Sequence, residues 1–331
     1  MIRMIGLCRV LVPPITASLL LAACGGAQQN VPPVVTKTQM ERTWMHGGAQ
    51  SADLLYVSYY ESEVIGVFDY PSGKMSGAIT DVGFIVGLCT DAEGDIFVGR
   101  QGSILEYRHG GTMPVATLND GKFTAWACSV DPTTGNLAVA NTGRHNDNIA
   151  VYAHAAGKPT IYRNSSFKEY FGCGYDASGN LYVLAFGKSS GGPNLLGELP
   201  KGKGGIKIIT LSHTPEGQGG VQWDGKYLAV SSPGENAIFQ FQIRGKTGRQ
   251  VGETVLSGGN GVEQFSFPNI YGESGQATKL VGNNTASDET LEWPYPSGGS
   301  PDLTIHTKYT VPVSAVVSVA SSRREINSLK P

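Results

Sequence analysis

The residues in this chain best equipped for chemistry sit in short polar segments. Arg144, His145 and Asp147 place an imidazole between a guanidinium and a carboxylate, a combination that could move a proton near neutral pH. A single loop histidine is more often a bystander, and no second histidine recurs at a matching position. Gly187-Lys188-Ser189-Ser190-Gly191 has the letters of a serine-nucleophile turn. That chemistry needs a strand, a sharp elbow and a helix, and Gly192-Pro193 is a poor helix start. No zinc-protease motif, phosphate loop or dinucleotide fingerprint occurs. The thiols Cys89, Cys128 and Cys173 could in principle ligate a metal together, but Cys89 stands one residue out of step relative to its following Asp. A small apolar side chain packed where space is tight is the simpler role. No catalytic residue, metal ligand or cofactor is assigned.

The remaining candidates are binding residues. Lys188 and Glu235, like Arg144, His145 and Asp147, fall in loops of variable length, where recognition residues usually sit on a rigid scaffold. Trp126 and Tyr170 lie where the chain enters a strand, and with Phe171 they are expected to rim a channel. Together Trp126, Arg144, His145, Asp147, Tyr170, Lys188 and Glu235 form the candidate binding face.

What positions them is a repeat. Gly94-Asp95-Ile96-Phe97-Val98, Gly135-Asn136-Leu137-Ala138-Val139, Gly179-Asn180-Leu181-Tyr182-Val183 and Gly225-Lys226-Tyr227-Leu228-Ala229-Val230 are copies of one strand start. Their first glycines lie 41, 44 and 46 residues apart, a period characteristic of an array of small sheets. Before each copy a strand ends in Asp91, Asp131, Asp176 or Asp224. Asp opening a tight turn and Gly closing it is the expected chemistry. An independent series marks the third strand of each unit: Phe68-Asp69-Tyr70, Leu105-Glu106-Tyr107, Ala150-Val151-Tyr152, Gly197-Glu198-Leu199, Phe239-Gln240-Phe241 and Leu291-Glu292-Trp293. These six copies imply six four-stranded units. The outer second-strand copies are Asp53 to Val57 and Lys279 to Val281. Unit one lacks its own inner strand, and the β-branched run Val311 to Val319 is expected to supply it, closing the ring and pairing its open edges. The fold class is therefore all-β, a six-bladed β-propeller spanning 46–320, with 321–331 a polar tail.

Composition agrees. Glycine is abundant, at 45 of 331 residues, and charged residues make up 16%, as short strands joined by tight turns require. A net charge of −2 carries no footprint for nucleic acid. The N-terminus differs. Arg3 and Arg9 precede an apolar run, Leu11 to Ala23, that is short for a membrane span and broken by Pro13-Pro14. It ends in Leu21-Ala22-Ala23-Cys24-Gly25, which resembles the lipobox of bacterial lipoproteins. The resemblance implies a signal peptide over 1–23, cleavage before Cys24 and acylation of that cysteine, palmitate included. Residues 24–45, rich in Gln, Pro, Val and Thr, read as a flexible tether. Asp is absent just after Cys24, which in enteric bacteria resembles the outer-membrane sorting pattern. In an exported chain the odd number of body cysteines leaves at least one thiol unpaired.

The strand and turn motifs over about 50–320 resemble the six-bladed propellers of the NHL-repeat and gluconolactonase-like superfamily. Trp223-Asp224 occurs once and without a recurring Gly-His partner, unlike WD-repeat proteins. Metal-dependent lactonases of that superfamily bring Glu, Asn and Asp into the channel. Here Glu263 is the one inner-strand acid away from the turn aspartates, so that triad is not placed. The leading expectation is a monomeric, membrane-anchored binding module for a partner protein, peptide or glycan. The alternative is a lactonase-like hydrolase or lyase at the channel mouth.

Overall fold

The computed structural model describes residues 42–143, 147–189, 191–268 and 275–320. The segments expected to be signal peptide (1–23) and polar tail (321–331), Cys24, and most of the expected tether lie outside the described residues. What is described is all-β, apart from three single-turn 3₁₀ segments, Ala49–Ser51, Ala153–Ala155 and Pro200–Gly202.

Each strand-start copy leads from its turn into a strand, at Ile96, Leu137, Leu181 and Leu228. The third-strand copies lie in strands, apart from Tyr70, which follows the end of Val64–Asp69. The recurring Asp side chains do what their turn position demands. Asp131 Oδ1 accepts the N–H of Thr133 at 2.8 Å, Asp176 Oδ1 accepts those of Ser178 and Asn180, and Asp224 Oδ1 those of Lys226 and Tyr227. The glycines that follow, including Gly94 and Gly179, both at φ 78–79°, sit in the left-handed region that side chains disfavour.

The end of the chain joins its beginning. Pro312–Ser318 pairs antiparallel with Leu54–Tyr59, matching Leu54 to Ser318 and Val57 to Ala315. Val64–Asp69 and Met75–Ile79 continue that sheet, and Trp44–Met45 caps its outer edge. The sheet therefore begins slightly before residue 46, inside the segment expected to be tether, because Trp44 and Met45 pair with Ala78 and Gly77. The next sheet runs Ile85–Thr90, Ile96–Tyr107, Pro114–Val130, Leu137–Thr142, Asn148–Tyr152, Thr160–Tyr162. Two of its strands serve twice. The later half of Ile96–Tyr107 pairs with the first part of Pro114–Val130, whose last part pairs with Leu137–Thr142. A third sheet holds Phe167–Tyr175, Leu181–Gly187, Asn194–Leu199 and Lys207–Leu211. The last of these meets Thr247–Val255 in parallel, and Ala237–Arg244, Leu228–Ser232 and Val221–Trp223 follow. Phe265–Ser266, Lys279–Asn284, Glu289–Pro294 and Leu303–His306 form the fourth.

Apolar clusters lie between successive repeats, because alternating side chains bury both sheet faces. One joins Leu54, Tyr56, Val67 and Val316 to Ile85, Leu88, Ile96 and Val98. Another joins Leu55, Val57 and Val317 to Val281 and Ile305, so the last repeat packs on the first. At the inner strands the backbones approach too closely for side chains. A Cβ on Gly174 would stand 2.4 Å from the Val221 carbonyl oxygen, and one on Gly87 2.8 Å from that of Trp126.

The cysteines correct the packing-only expectation. Cys89 and Cys128 form a disulfide, while Cys173 is free and buried, accounting for the odd thiol.

Candidate functional site

A pocket of about 1220 Å³ opens among the loops, bounded by Trp126, Thr142, Gly143, Asp147, residues 163–165 and 167–170, Lys188, Ser189 and Gln218. Five stretches of chain build it, the first being the strand Pro114–Val130, which supplies Trp126. Thr142, Gly143 and Asp147 flank the loop between Leu137–Thr142 and Asn148–Tyr152. Residues 163–166 connect Thr160–Tyr162 to Phe167–Tyr175, whose first residues, 167–170, continue the lining. Lys188 and Ser189 follow Leu181–Gly187, and Gln218 precedes Val221–Trp223.

Hydrogen bonds fix several of these groups. Asp147 Oδ1 accepts the Gly143 N–H at 2.6 Å, closing the loop on itself. Burial pushes the Asp147 carboxyl above its usual range, and the negative charge of Glu169 adds to this, while the Gly143 N–H works against it. The Tyr170 hydroxyl accepts the Asn164 N–H at 2.8 Å, and burial raises its pKa. Asn164 also donates to the Ile206 carbonyl at 2.8 Å. Phe167 and Tyr170 meet edge to face, centroids 5.7 Å apart, forming a firm apolar floor. Lys168 and Lys188 are exposed, and Lys188 adopts φ 60°. The indole of Trp126 leans on the apolar cluster around Phe171, Tyr182 and Val221.

Of the seven candidate residues, Trp126, Asp147, Tyr170 and Lys188 line this pocket. Arg144 and His145 lie outside the described residues. Glu235 sits apart from the pocket lining. It accepts from Ser232 and lies 3.1 Å from His213 Nε2. Burial alone would raise its pKa, but these hydrogen bonds bring it below the ordinary value. Phe171 is fully buried, packed edge-on against Phe186, and does not rim the opening. Sequence reasoning passed over Arg163, Lys168, Glu169 and Gln218. Arg163 and Gln218 occupy connections between repeats, and Lys168 and Glu169 the start of Phe167–Tyr175, ahead of its recurring motif, where there is no periodic signal.

Glu263 stands near the inner strands, and burial pushes its carboxyl up to about 7. Its backbone carbonyl accepts from Gly220 N–H and Ser231 Oγ at 2.7 Å each. Among the described residues no group of three His, Cys, Asp or Glu side chains is placed to hold a metal ion.

No family model matches the chain, and no curated protein matches it in sequence. In structure it is similar to a chain from the crystal structure of a nidogen/laminin complex, with TM-score 0.63 and 14% identity, over 81% of this chain and 99% of that one. It is also similar to a protein of unknown function from Bacteroides caccae, with TM-score 0.55 and 13% identity, over 81% and 99% of the two chains. A functionally unknown protein from Desulfotomaculum acetoxidans DSM 771 gives 0.53 and 11%, over 82% and 100%. Such likeness speaks to the fold alone, and the fold is β-propeller-like.

Proposed function

We propose that this chain is an exported lipoprotein, held at a bacterial envelope by lipid on Cys24, whose propeller binds an extended partner in its loop-side pocket without transforming it. The ring is read as six blades of the NHL-like kind, closed by Pro312–Ser318. The apolar clusters between successive repeats and the six third-strand copies support that count. The observation that carries the binding reading is the pocket itself. It gathers an aromatic floor and charges of both signs from five separate stretches of chain. At about 1220 Å³ it exceeds the roughly 300–1,000 Å³ usual for small-molecule sites, which favours a segment of peptide or glycan. The Cys89–Cys128 disulfide suits an oxidising, extracytoplasmic compartment.

Peptide and glycan arrays probed with the purified protein test the reading. Lys168→Glu and Lys188→Glu alter exposed pocket residues without touching the core. Each is expected to change affinity for the retained probes by at least about tenfold, or about 1.4 kcal/mol. Glu235→Gln, outside the pocket, is expected to leave affinity unchanged. Retention that ignores both lysine variants, or conversion of a bound probe to products, would contradict the proposal.

A further inference from the structure

Beside the pocket lies a buried polar cluster with too many acceptors for its donors. Asn141 and Asn148 face each other across the hairpin whose loop supplies Thr142, Gly143 and Asp147 to the pocket. Asp120 reaches them from the long strand Pro114–Val130. All three side chains are at least nine-tenths buried, and Asn141 and Asn148 have no exposed surface. Asn141 Nδ2 donates to Asp120 Oδ1 at 2.9 Å and to Asn148 Oδ1 at 3.3 Å. The Tyr152 hydroxyl donates to the same Asp120 Oδ1 at 2.8 Å.

This leaves two orphans. Asp120 Oδ2 and Asn141 Oδ1 are enclosed, and neither has a partner. Turning the Asn141 amide over would not help, since its oxygen would then face two acceptors. Both orphans are acceptors, so the missing element must be positive or carry a hydrogen. A bridging water needs room of its own, whereas both oxygens are almost wholly enclosed. A proton needs none.

We infer that Asp120 and Asn141 share one proton at neutral pH, closing an acid–amide pair in which Asp120 Oδ2–H donates to Asn141 Oδ1 while Asn141 Nδ2 donates back. Burial, the largest influence on Asp120, raises its pKa, and the bonds from Tyr152 and Asn141 only partly offset this. The groups on the carboxyl from the neighbouring strands are the Tyr152 hydroxyl, which also reaches the Asn119 carbonyl at 3.0 Å, and the neutral Asn141 amide, which in turn bonds Asn148. Lys122, on Asp120's own strand, is exposed, and Asp147, across the hairpin loop, is engaged by Gly143. When the proton leaves, two unpaired oxygens remain enclosed next to Thr142, Gly143 and Asp147 of the pocket lining, and the strain is relieved by separating Asp120 from Asn141. The pocket wall is thereby made pH-responsive. The shared proton exists whatever the pocket binds, while its influence on uptake rests on the binding reading.

Asp120→Asn tests this, because the new amide N–H can donate where the acid O–H did. The unfolded chain releases this proton at about pH 4, and the native state keeps it to a higher pH. Wild-type folding therefore weakens with rising pH, by up to about tenfold in the folding constant per pH unit relative to D120N, until the native pKa is passed. Carboxyl ¹³C shifts of aspartate-labelled wild type give a second readout that does not depend on the variant folding. One aspartate still protonated at about pH 7, and absent from D120N, is expected. Parallel stability profiles for the two proteins, or no protonated aspartate at neutral pH, would overturn the inference. So would a wild-type Tm that rises with added calcium while D120N's does not, since that would place a cation between the oxygens. Should no array probe bind, these readouts still decide the shared proton.

Discussion

Cys89 precedes the aspartate that opens its turn by one residue fewer than Cys128 and Cys173 precede theirs, and this offset decides the thiol chemistry. Strand side chains alternate between faces, so a shift of one residue turns a side chain to the opposite side. Cys128 points back toward the preceding repeat, where its Sγ nears the Phe97 carbonyl. Cys89 points forward, and the two meet within one apolar cluster. Cys173 shares the Cys128 phase and meets backbone carbonyls instead, those of Ala127 and Ala138 at 3.7 and 3.8 Å. The offset that argues against a shared metal site is thus the signal for the pairing, legible only once strand parity is applied. The bond encloses a separation of 39 residues, for which loop-closure entropy implies about 4 kcal/mol. Replacing Cys89 and Cys128 with serine is expected to lower the urea-unfolding free energy by up to that amount, and reductant should do the same to wild type. Burial pushes the Cys173 thiol up to about 12, so maleimide is expected to label it only after unfolding, as mass spectrometry can check.

At the scale of elements, the turns that open each repeat were readable because Asp and Gly recur at fixed offsets. Their electrostatics were not, because neighbours outside the motif set them. Burial, with the nearby charges of Asp95 and Glu93, pushes Asp91 up to about 6, although backbone N–H groups oppose this. For Asp131 burial also acts upward, yet donors from Thr134 and Thr133 outweigh it and the pKa falls below the ordinary value. The two turns therefore respond to pH in opposite senses. Asp91 costs stability as pH climbs from about 4, the ordinary value, to about 6. Asp131 adds stability above the ordinary carboxylate range and loses it as pH falls through its own lowered pKa. Asp91→Asn is expected to flatten the decline in Tm over the first window. Asp131→Asn is expected to flatten the acid limb instead, and should cost about 1 kcal/mol above it because its hydrogen bonds become uncharged. Other elements carried no sequence signal. The Trp44–Met45 edge and the parallel contact of Thr210 with Thr247 join distant segments with no local periodicity. The same holds for the Arg163 to Glu169 side of the pocket, whereas its Trp126, Asp147, Tyr170 and Lys188 side could be picked out from loop position.

For the whole molecule, the decisive contact is between its two ends. Ser58 and Ser314 tie it at three points. Ser58 Oγ donates to the Val86 carbonyl at 2.9 Å, Ser314 N–H donates to Ser58 Oγ, and Leu88 N–H donates to Ser314 Oγ. Ala315, Val316 and Val317 are buried on both faces of the sheet. Fully burying a valine contributes about 1.5–3 kcal/mol, and loss of the strand would also uncover Leu55, Val57 and Leu88 while leaving an unpaired edge. That total rivals the roughly 5–15 kcal/mol net stability of an ordinary domain. The closing strand was legible because its β-branched run stands beyond the last repeat while the first repeat lacks an inner strand.

The most direct measurement is thermal unfolding of two shortened chains, one ending at residue 320 and the other at residue 311. The first is expected to melt cooperatively at the wild-type temperature, and the second to lose its cooperative transition and the pocket with it. A chain ending at 311 that melts like the intact protein would contradict this expectation.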